Sequence, residues 1–375
     1  MRDVVTLKTL LTLINEGDKE SFRNLQKMDN NYPTEFFEVV KNGLCKNPYM
    51  IRECMKDDFY FEHKDFFIDF IRESPSRISA FPSSVLIKDT SFAEAAIKDD
   101  GANIRDIPKA VIVSHPWLIN YAVNNNTIAL QCASKTWQDK NFEFIKRRLI
   151  EDPRGIKYLT SNIEGRLYFE LDYLLSMNPK ILGYLTCDVL IKHKEATMEA
   201  FKKDPSIIKI LSTSTKLSFP WMAEIAFDYD HSLIEYIPSE YLIKNLDFCM
   251  KCVKEYSESA KYFPIEVITS SKEMFTFCLN DNSKCGKYIT LSNVKEYKDV
   301  ILEKVAKRPE MIKYINEKVL LDHPDIVIVA VESNWRVYEL LPLLVQTSNE
   351  DAAQIAYKKN PSSLLWIPFS ELSKL

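Results

Sequence analysis

Glycine is scarce in this chain, with 7 residues in 375. Sheet-rich folds use glycine in tight turns, whereas a helix loses roughly 1 kcal/mol at each one, so the shortage points to helix throughout. Also missing are Gly/Ser linkers, Pro-rich spacers, charge blocks and low-complexity tracts, so nothing in the composition divides the chain into separate domains. No window of ~18 apolar residues is present to cross a bilayer, and Met1-Arg2-Asp3-Val4 opens an amphipathic stretch rather than a signal peptide. No membrane association is expected. Neither sign of charge dominates: 49 basic and 53 acidic side chains leave a net charge of -4, without a global pull toward nucleic acid or anionic lipid. Histidine occurs five times, and there is no His-Glu-x-x-His, no glycine loop for phosphate and no Cys/His/Asp grouping. The chain is therefore expected to be non-enzymatic and to carry no cofactor. Its eight cysteines lack the density of a secreted disulfide framework and are expected to be reduced thiols in a cytoplasm, that of its own cell or of an infected host.

What the chain has is a period. A hydrophobic content of 46% with 12% aromatics is ample for a continuous core. Pro75, Pro153, Pro179, Pro205, Pro309 and Pro361 are separated by multiples of 26 residues. So are Pro82, Pro108, Pro238, Pro264, Pro342 and Pro368, and again Pro116, Pro220 and Pro324. Three columns of a 26-column table thus hold 15 of the 17 prolines, which chance would scatter.

Other columns follow the same register. Before the first proline column stand Ser74, Asp100, Asn126, Asp152, Asn178, Asp204, Asp230, Asn282, Asn334 and Asn360. An Asx side chain can accept from free backbone N–H groups, and proline at the first helical position loses no bond, so each marks a helix start. Six residues after that proline column every repeat is apolar, from Phe81 and Ile107 through Ala133 to Ile367. One place earlier runs an aromatic row, Tyr158, Tyr184, Tyr236, Tyr262, Tyr288, Tyr314 and Trp366. Ser134, Thr160, Thr186, Ser212, Thr290 and Asn316 replace proline in the second column and again start helices or turns. The third column is preceded by Asp89, His115, Asn141, His193, Asn245, Ser271, His323 and Asn349, a further expected capping row. After it come a small row (Ala96, Ala122, Ala200, Ala226, Cys252, Cys278, Ala330, Ala356) and a large row (Ile97, Val123, Leu149, Leu175, Phe201, Phe227, Val253, Leu279, Val305, Val331, Tyr357). Small residues let neighbouring helices approach and large ones fill the space between them.

These columns predict an all-α solenoid of about twelve 26-residue repeats. Each repeat would hold a helix of about ten residues, one of about seven, and a turn or single-turn helix, and would depend on its neighbours for stability. Residues 1–47 depart from the register; Leu7, Leu10, Leu11 and Ile14 make an amphipathic N-terminal helical cap, and Asn47-Pro48 opens a first repeat displaced by one residue. Residues 48–375 form the single repeat domain. At the C-terminal end Ile367, Phe369 and Leu372 are still apolar, which would either pack on the last repeat or serve self-association.

The stretches Asp325-Ile326-Val327-Ile328-Val329-Ala330-Val331-Glu332-Ser333-Asn334 and Lys307-Arg308-Pro309-Glu310-Met311-Ile312-Lys313-Tyr314-Ile315 carry a resemblance that extends over most of residues 60–375. The repeat resembles the tandem short α-helical repeats, of a domain-of-unknown-function type, seen in proteins of phages, giant viruses and intracellular bacteria. Proline stands here where that family more often has glycine. The resemblance implies the fold and a repeat-type binding role, and it supplies no catalytic residues.

Within the register, Cys249-x-x-Cys252, with Cys278 and Cys285 as possible partners, invites a zinc or redox reading. Cys252 and Cys278 share the small core row with Ala226 and Ala330, so buried core thiols are the economical expectation. Glu143, Glu195, Asp247, Glu273, Asp299, Asp325 and Asp351 recur as the second residue of the long helix, where negative charge suits the helix dipole, with a basic partner as the alternative. Trp117 and Trp221 interrupt this row after a proline, either as packed staples or as exposed binding anchors. The sharpest binding signal is a basic column, Arg105, Lys157, Lys209, Lys261, Lys287 and Lys313, four places after the first proline column. It is either a solvated row complementing the dipole or a surface for a partner. Tyr158 and Tyr288 are adjacent to it in sequence, but neighbours on a helix are expected to face apart. The expected function is a scaffold binding a protein partner along its extended surface; the alternative is nucleic-acid-backbone binding through the Lys/Arg ladder.

Overall fold

A computed structural model describes residues 12–14, 16, 36–47, 57–280, 283–365 and 367. The fold is all-α, with no strand among the described residues. No helix among them is long and apolar enough to cross a membrane. The 26-residue period is directly visible. Among the described residues twelve 3-10 helices run from Pro75–Ala80 to Pro361–Leu365, each after the first beginning 26 residues after the one before. Most are followed by a short α-helix, as at Ser83–Lys88 and Lys109–Ser114, and then by a longer one, as at Trp117–Asn125 and Phe142–Glu151. After Pro153–Tyr158 the order of lengths is reversed, with Ser161–Phe169 before Leu171–Met177, and after Ser283–Tyr288 a turn takes the place of the short helix.

The order of elements matches the expectation, but the helix types differ. The opening segment is a six-residue 3-10 helix, and the expected turn after it is in most repeats a six-residue α-helix. Two local constraints explain the first. Asp100, Asn126, Asp152, Asn178, Asp204, Asp230, Asn334 and Asn360 each accept a hydrogen bond from the amide two residues on, which starts the helix. Eight residues after the Asx position a proline, where present, holds the residue before it in the extended region, as at Phe81 with ψ 145°, so the chain must leave the helix within two turns. A 3-10 helix suits so short a segment, although the equally short segment that follows it is α-helical.

The chain divides into two compact units, Met1–Ala200 and Phe201–Leu375. In the first, successive 3-10 helices (Gly101–Asp106, Thr127–Cys132, Pro153–Tyr158) lie side by side, as do successive long helices such as Lys64–Glu73, Ser91–Ile97 and Trp117–Asn125. Side-chain bonds lace the repeats together: Asn126 Nδ2 donates to Asp100 at 2.7 Å, and Asn178 Nδ2 to the Ile150 carbonyl at 2.7 Å. Near its N-terminal end Ile14 is fully buried, and a Cβ at Gly43, in the helix Phe36–Lys46, would lie 2.1 Å from the Ile14 carbonyl oxygen. That close approach is what only glycine permits. Leu7, Leu10, Leu11 and Pro48, on which the cap reading also drew, lie outside the described residues.

In the second unit the long helices Lys298–Lys307, Pro324–Ser333 and Glu350–Lys359 pack in succession, and so do the 3-10 helices Ser283–Tyr288, Pro309–Tyr314 and Trp335–Leu340. Ile367 is buried; Trp366, Pro368, Phe369 and Leu372 lie outside the described residues. Across both units the small row is buried without exception, and so is the large row except Tyr357, which is half-buried. Burying such a side chain contributes roughly 1.5–3 kcal/mol, and here the burial is supplied by adjoining repeats.

Candidate functional site

The basic column lies on the 3-10 helices, at their fifth position, just before the chain turns away. Arg105, Lys157, Lys209, Lys261, Lys287 and Lys313 are all exposed. The rings beside them are not turned away, contrary to the sequence expectation. Lys157 Nζ lies 4.9 Å from the Tyr158 ring centroid, Lys261 4.8 Å from Tyr262, Lys287 5.0 Å from Tyr288 and Lys313 5.9 Å from Tyr314. Lys209 reaches the ring of Tyr236 in the next repeat at 5.7 Å. The rule that helical neighbours diverge fails because the tyrosine is the last residue of its helix, where the long lysine stem folds back over the ring. At exposed sites such contacts are individually weak, but they bias where the ammonium sits.

In the first unit the column is interrupted. Gln131 stands between Arg105 and Lys157, and Arg105 has Asp106 beside it, Nε to carboxylate 4.0 Å, where six of the repeats carry tyrosine. In the second unit Lys261, Lys287 and Lys313 follow one another in three consecutive repeats. Between the first two is a shallow depression of about 320 Å3, lined by Lys261, Lys284, Lys287, Glu258, Cys285 and Tyr288 among others. Glu258 accepts from Lys261 Nζ at 3.0 Å, and this bond holds the amine above the ordinary lysine range. In the repeats on either side the same position is occupied by exposed carboxylates, Glu235 and Glu339.

The tryptophans separate. Trp117 is exposed, while the half-buried Trp221 ring packs edge-on to Phe201 and Phe219, each at 5.7 Å, as a staple does. The acidic row is largely structural. Glu273 pairs with Lys254, Asp299 with Lys272 and Asp325 with Lys298, each across two successive long helices, and Glu143 pairs with Lys146 on its own helix. The first three are inter-repeat ion pairs that dipole reasoning alone did not reveal.

The histidine row does not cap. His115 Nε2 is 2.9 Å from the Ile87 carbonyl of the preceding repeat, His193 Nδ1 is 2.8 Å from Asp172, and His323 makes no side-chain capping bond. In the same column Asp89, Ser271 and Asn349 do cap, whereas Asn141 and Asn245 turn their amides back to the carbonyls of Trp137 and Tyr241. An imidazole is too bulky to return to the amides that a short Asx or Ser side chain reaches.

Cys249, Cys252, Cys278 and Cys285 are all buried, and Cys249 Sγ donates to the Leu242 carbonyl. Burial pushes the Cys249 and Cys278 thiols up to about 12 and raises Cys252 as well. Such thiols stay protonated at neutral pH, which suits packing and opposes nucleophilic or metal-ligating roles. Among the described residues no group of three or more His, Cys, Asp or Glu is placed to hold a metal ion. No family model matches the chain, and comparison with curated proteins and with solved structures gives no match either.

Proposed function

We infer that this chain is a non-enzymatic, cytoplasmic helical-repeat scaffold, and that the run Lys261, Lys287, Lys313 receives an acidic segment of a protein partner. The observation that carries this reading is the lysine–tyrosine ladder itself. Three consecutive repeats present an ammonium braced over a tyrosine ring, and the first two flank a depression that also holds Lys284. Packed helices lie roughly 8–10 Å apart, so the run offers a short series of cationic sites rather than a continuous track. Electrostatic complementarity of this kind directs association and register more than it adds raw affinity.

Two details favour an acidic peptide over a nucleic-acid backbone. Glu235 and Glu339 close the run at both ends, so a longer phosphate chain would meet carboxylates. The tyrosine faces are covered by lysines, whereas a single-strand binder leaves its aromatic rings open for bases to stack on. Nucleic-acid binding is the second reading, supported by the charge of the ladder alone.

Fluorescence anisotropy with a labelled Asp/Glu-rich peptide and with a single-stranded oligonucleotide of equal charge distinguishes the two. The reading expects the peptide to bind more tightly and K261E/K287E/K313E to abolish its binding. Oligonucleotide binding that is the stronger of the two and falls steeply with salt would replace it with the second reading.

A further inference from the structure

The first unit contains a cleft that the repeat pattern does not require. It lies between the repeats beginning at Gly101 and Thr127 and has a volume of about 520 Å3. Its origin can be read from the columns. The aromatic row carries Cys132 here where six of the repeats have tyrosine, and the apolar row carries Ala133 where others have Leu, Ile or Phe. Two adjacent bulky side chains are thus replaced by small ones, and both replacements line the cleft. A volume of about 300–1,000 Å3 with apolar walls and a few polar groups is typical of small-molecule sites.

The lining specifies the ligand. Ile104, Ile107, Ile119 and Trp137 form apolar walls and are all buried in the fold. The two charged side chains that line the cleft, Arg105 and Lys109, are both cationic and both exposed. Asp106 stands 4.0 Å from Arg105 without lining the cleft. Burial raises the Cys132 thiol above its ordinary value, and Asp106 adds to the effect, so that wall remains neutral.

We propose that this cleft binds a small molecule with an apolar body and a single anionic group, of the medium-chain carboxylate class. The chain would occupy the space left by Cys132 and Ala133, and the carboxylate would meet Arg105 and Lys109 at the mouth. The inference is separate from the scaffold reading, because the ladder run Lys261 to Lys313 lies in the other unit and either can fail alone.

The test is calorimetric titration of the full chain with dodecanoate below its micellar range, alongside dodecyltrimethylammonium. Dodecanoate is expected to bind with one-to-one stoichiometry and at least tenfold more tightly than the cation. Ala133→Leu restores the residue type of the other repeats and fills the cleft; it should weaken dodecanoate binding at least tenfold while leaving the thermal midpoint unchanged or higher. Should that variant fold poorly, R105E/K109E alters only exposed side chains and is expected to reverse the head-group preference. Failure of dodecanoate to bind, equal binding of the two amphiphiles, or binding that survives both sets of substitutions would overturn the proposal.

Discussion

Two of the few glycines should respond to the same substitution with opposite sign. A Cβ placed on Gly101 would lie 1.9 Å from the Ala122 carbonyl oxygen, 2.7 Å from its carbon and 3.0 Å from its Cα. Carbon atoms in ordinary contact are roughly 3.5–4.0 Å apart, so the backbone of the helix Trp117–Asn125 would have to retreat by more than about 1 Å. The obstacle is main chain, which has no rotamer in which to escape. Overpacking of this kind costs about 1–3 kcal/mol. Gly165 is the control: it lies within the helix Ser161–Phe169, and a Cβ there meets nothing within 4 Å. Alanine should therefore stabilise that site by about 0.5–1 kcal/mol, through helix propensity and the lower entropy of the unfolded chain. Urea denaturation followed by far-ultraviolet circular dichroism measures both. Gly101→Ala should lower the midpoint and Gly165→Ala raise it. A midpoint for Gly101→Ala at or above that of the parent would refute the close contact between the 3-10 helix and the long helix of the same repeat on which the packing account depends.

Three further outcomes follow from the same geometry. Burial alone would raise the Asp152 carboxyl, but hydrogen bonds from Arg154 and Thr127 outweigh it and hold it below the usual carboxylate range. The ionised form is therefore the stabilising one: its contribution is complete above the unfolded value of about 3.9 and is lost as pH falls below it. Asp152→Asn should cost about 1–2 kcal/mol at neutral pH, with the gap to the parent closing in acid denaturation below about pH 4; a gap independent of pH would contradict this. Phe227, fully buried in the large row and stacked on His231 at 4.6 Å, should cost about 3–5 kcal/mol as Phe227→Ala; a loss below about 1 kcal/mol would count against a well-packed core there. Cys249, Cys252 and Cys278 should resist a thiol reagent at pH 8 until denaturant is added, while the exposed Cys45 reacts at once; rapid native labelling of Cys252 would revive a redox role.

The repeat was legible because its signals are local. An Asx before a proline starts a helix and a second proline ends it, so the register of the twelve 3-10 helices could be placed from those residues before any contact was known. The small and large rows were legible for the same reason, since a fixed period carries each position to the same face. Helix type was not, because a 3-10 and an α-helix share their capping chemistry and six-residue segments of both kinds alternate in this chain. The lysine–tyrosine contacts were missed by treating residues 157 and 158, or 287 and 288, as mid-helix neighbours when they end a helix. The ion pairs Lys272–Asp299 and Lys298–Asp325 were also invisible to a rule confined to one helix. The cleft at Cys132 and Ala133 left a signal that was not used: a deficit of side-chain volume in two adjacent columns of one repeat.

The most direct test of the scaffold account is affinity purification of the tagged chain from its native cells, with and without nuclease, beside the variant K261E/K287E/K313E. All three lysines are exposed, so the variant should fold like the parent. The account predicts a protein partner in stoichiometric amount that survives nuclease and is lost with the variant. Recovery of nucleic acid that the same variant loses, or a protein partner retained undiminished by it, would contradict the assignment of the ladder to a protein partner.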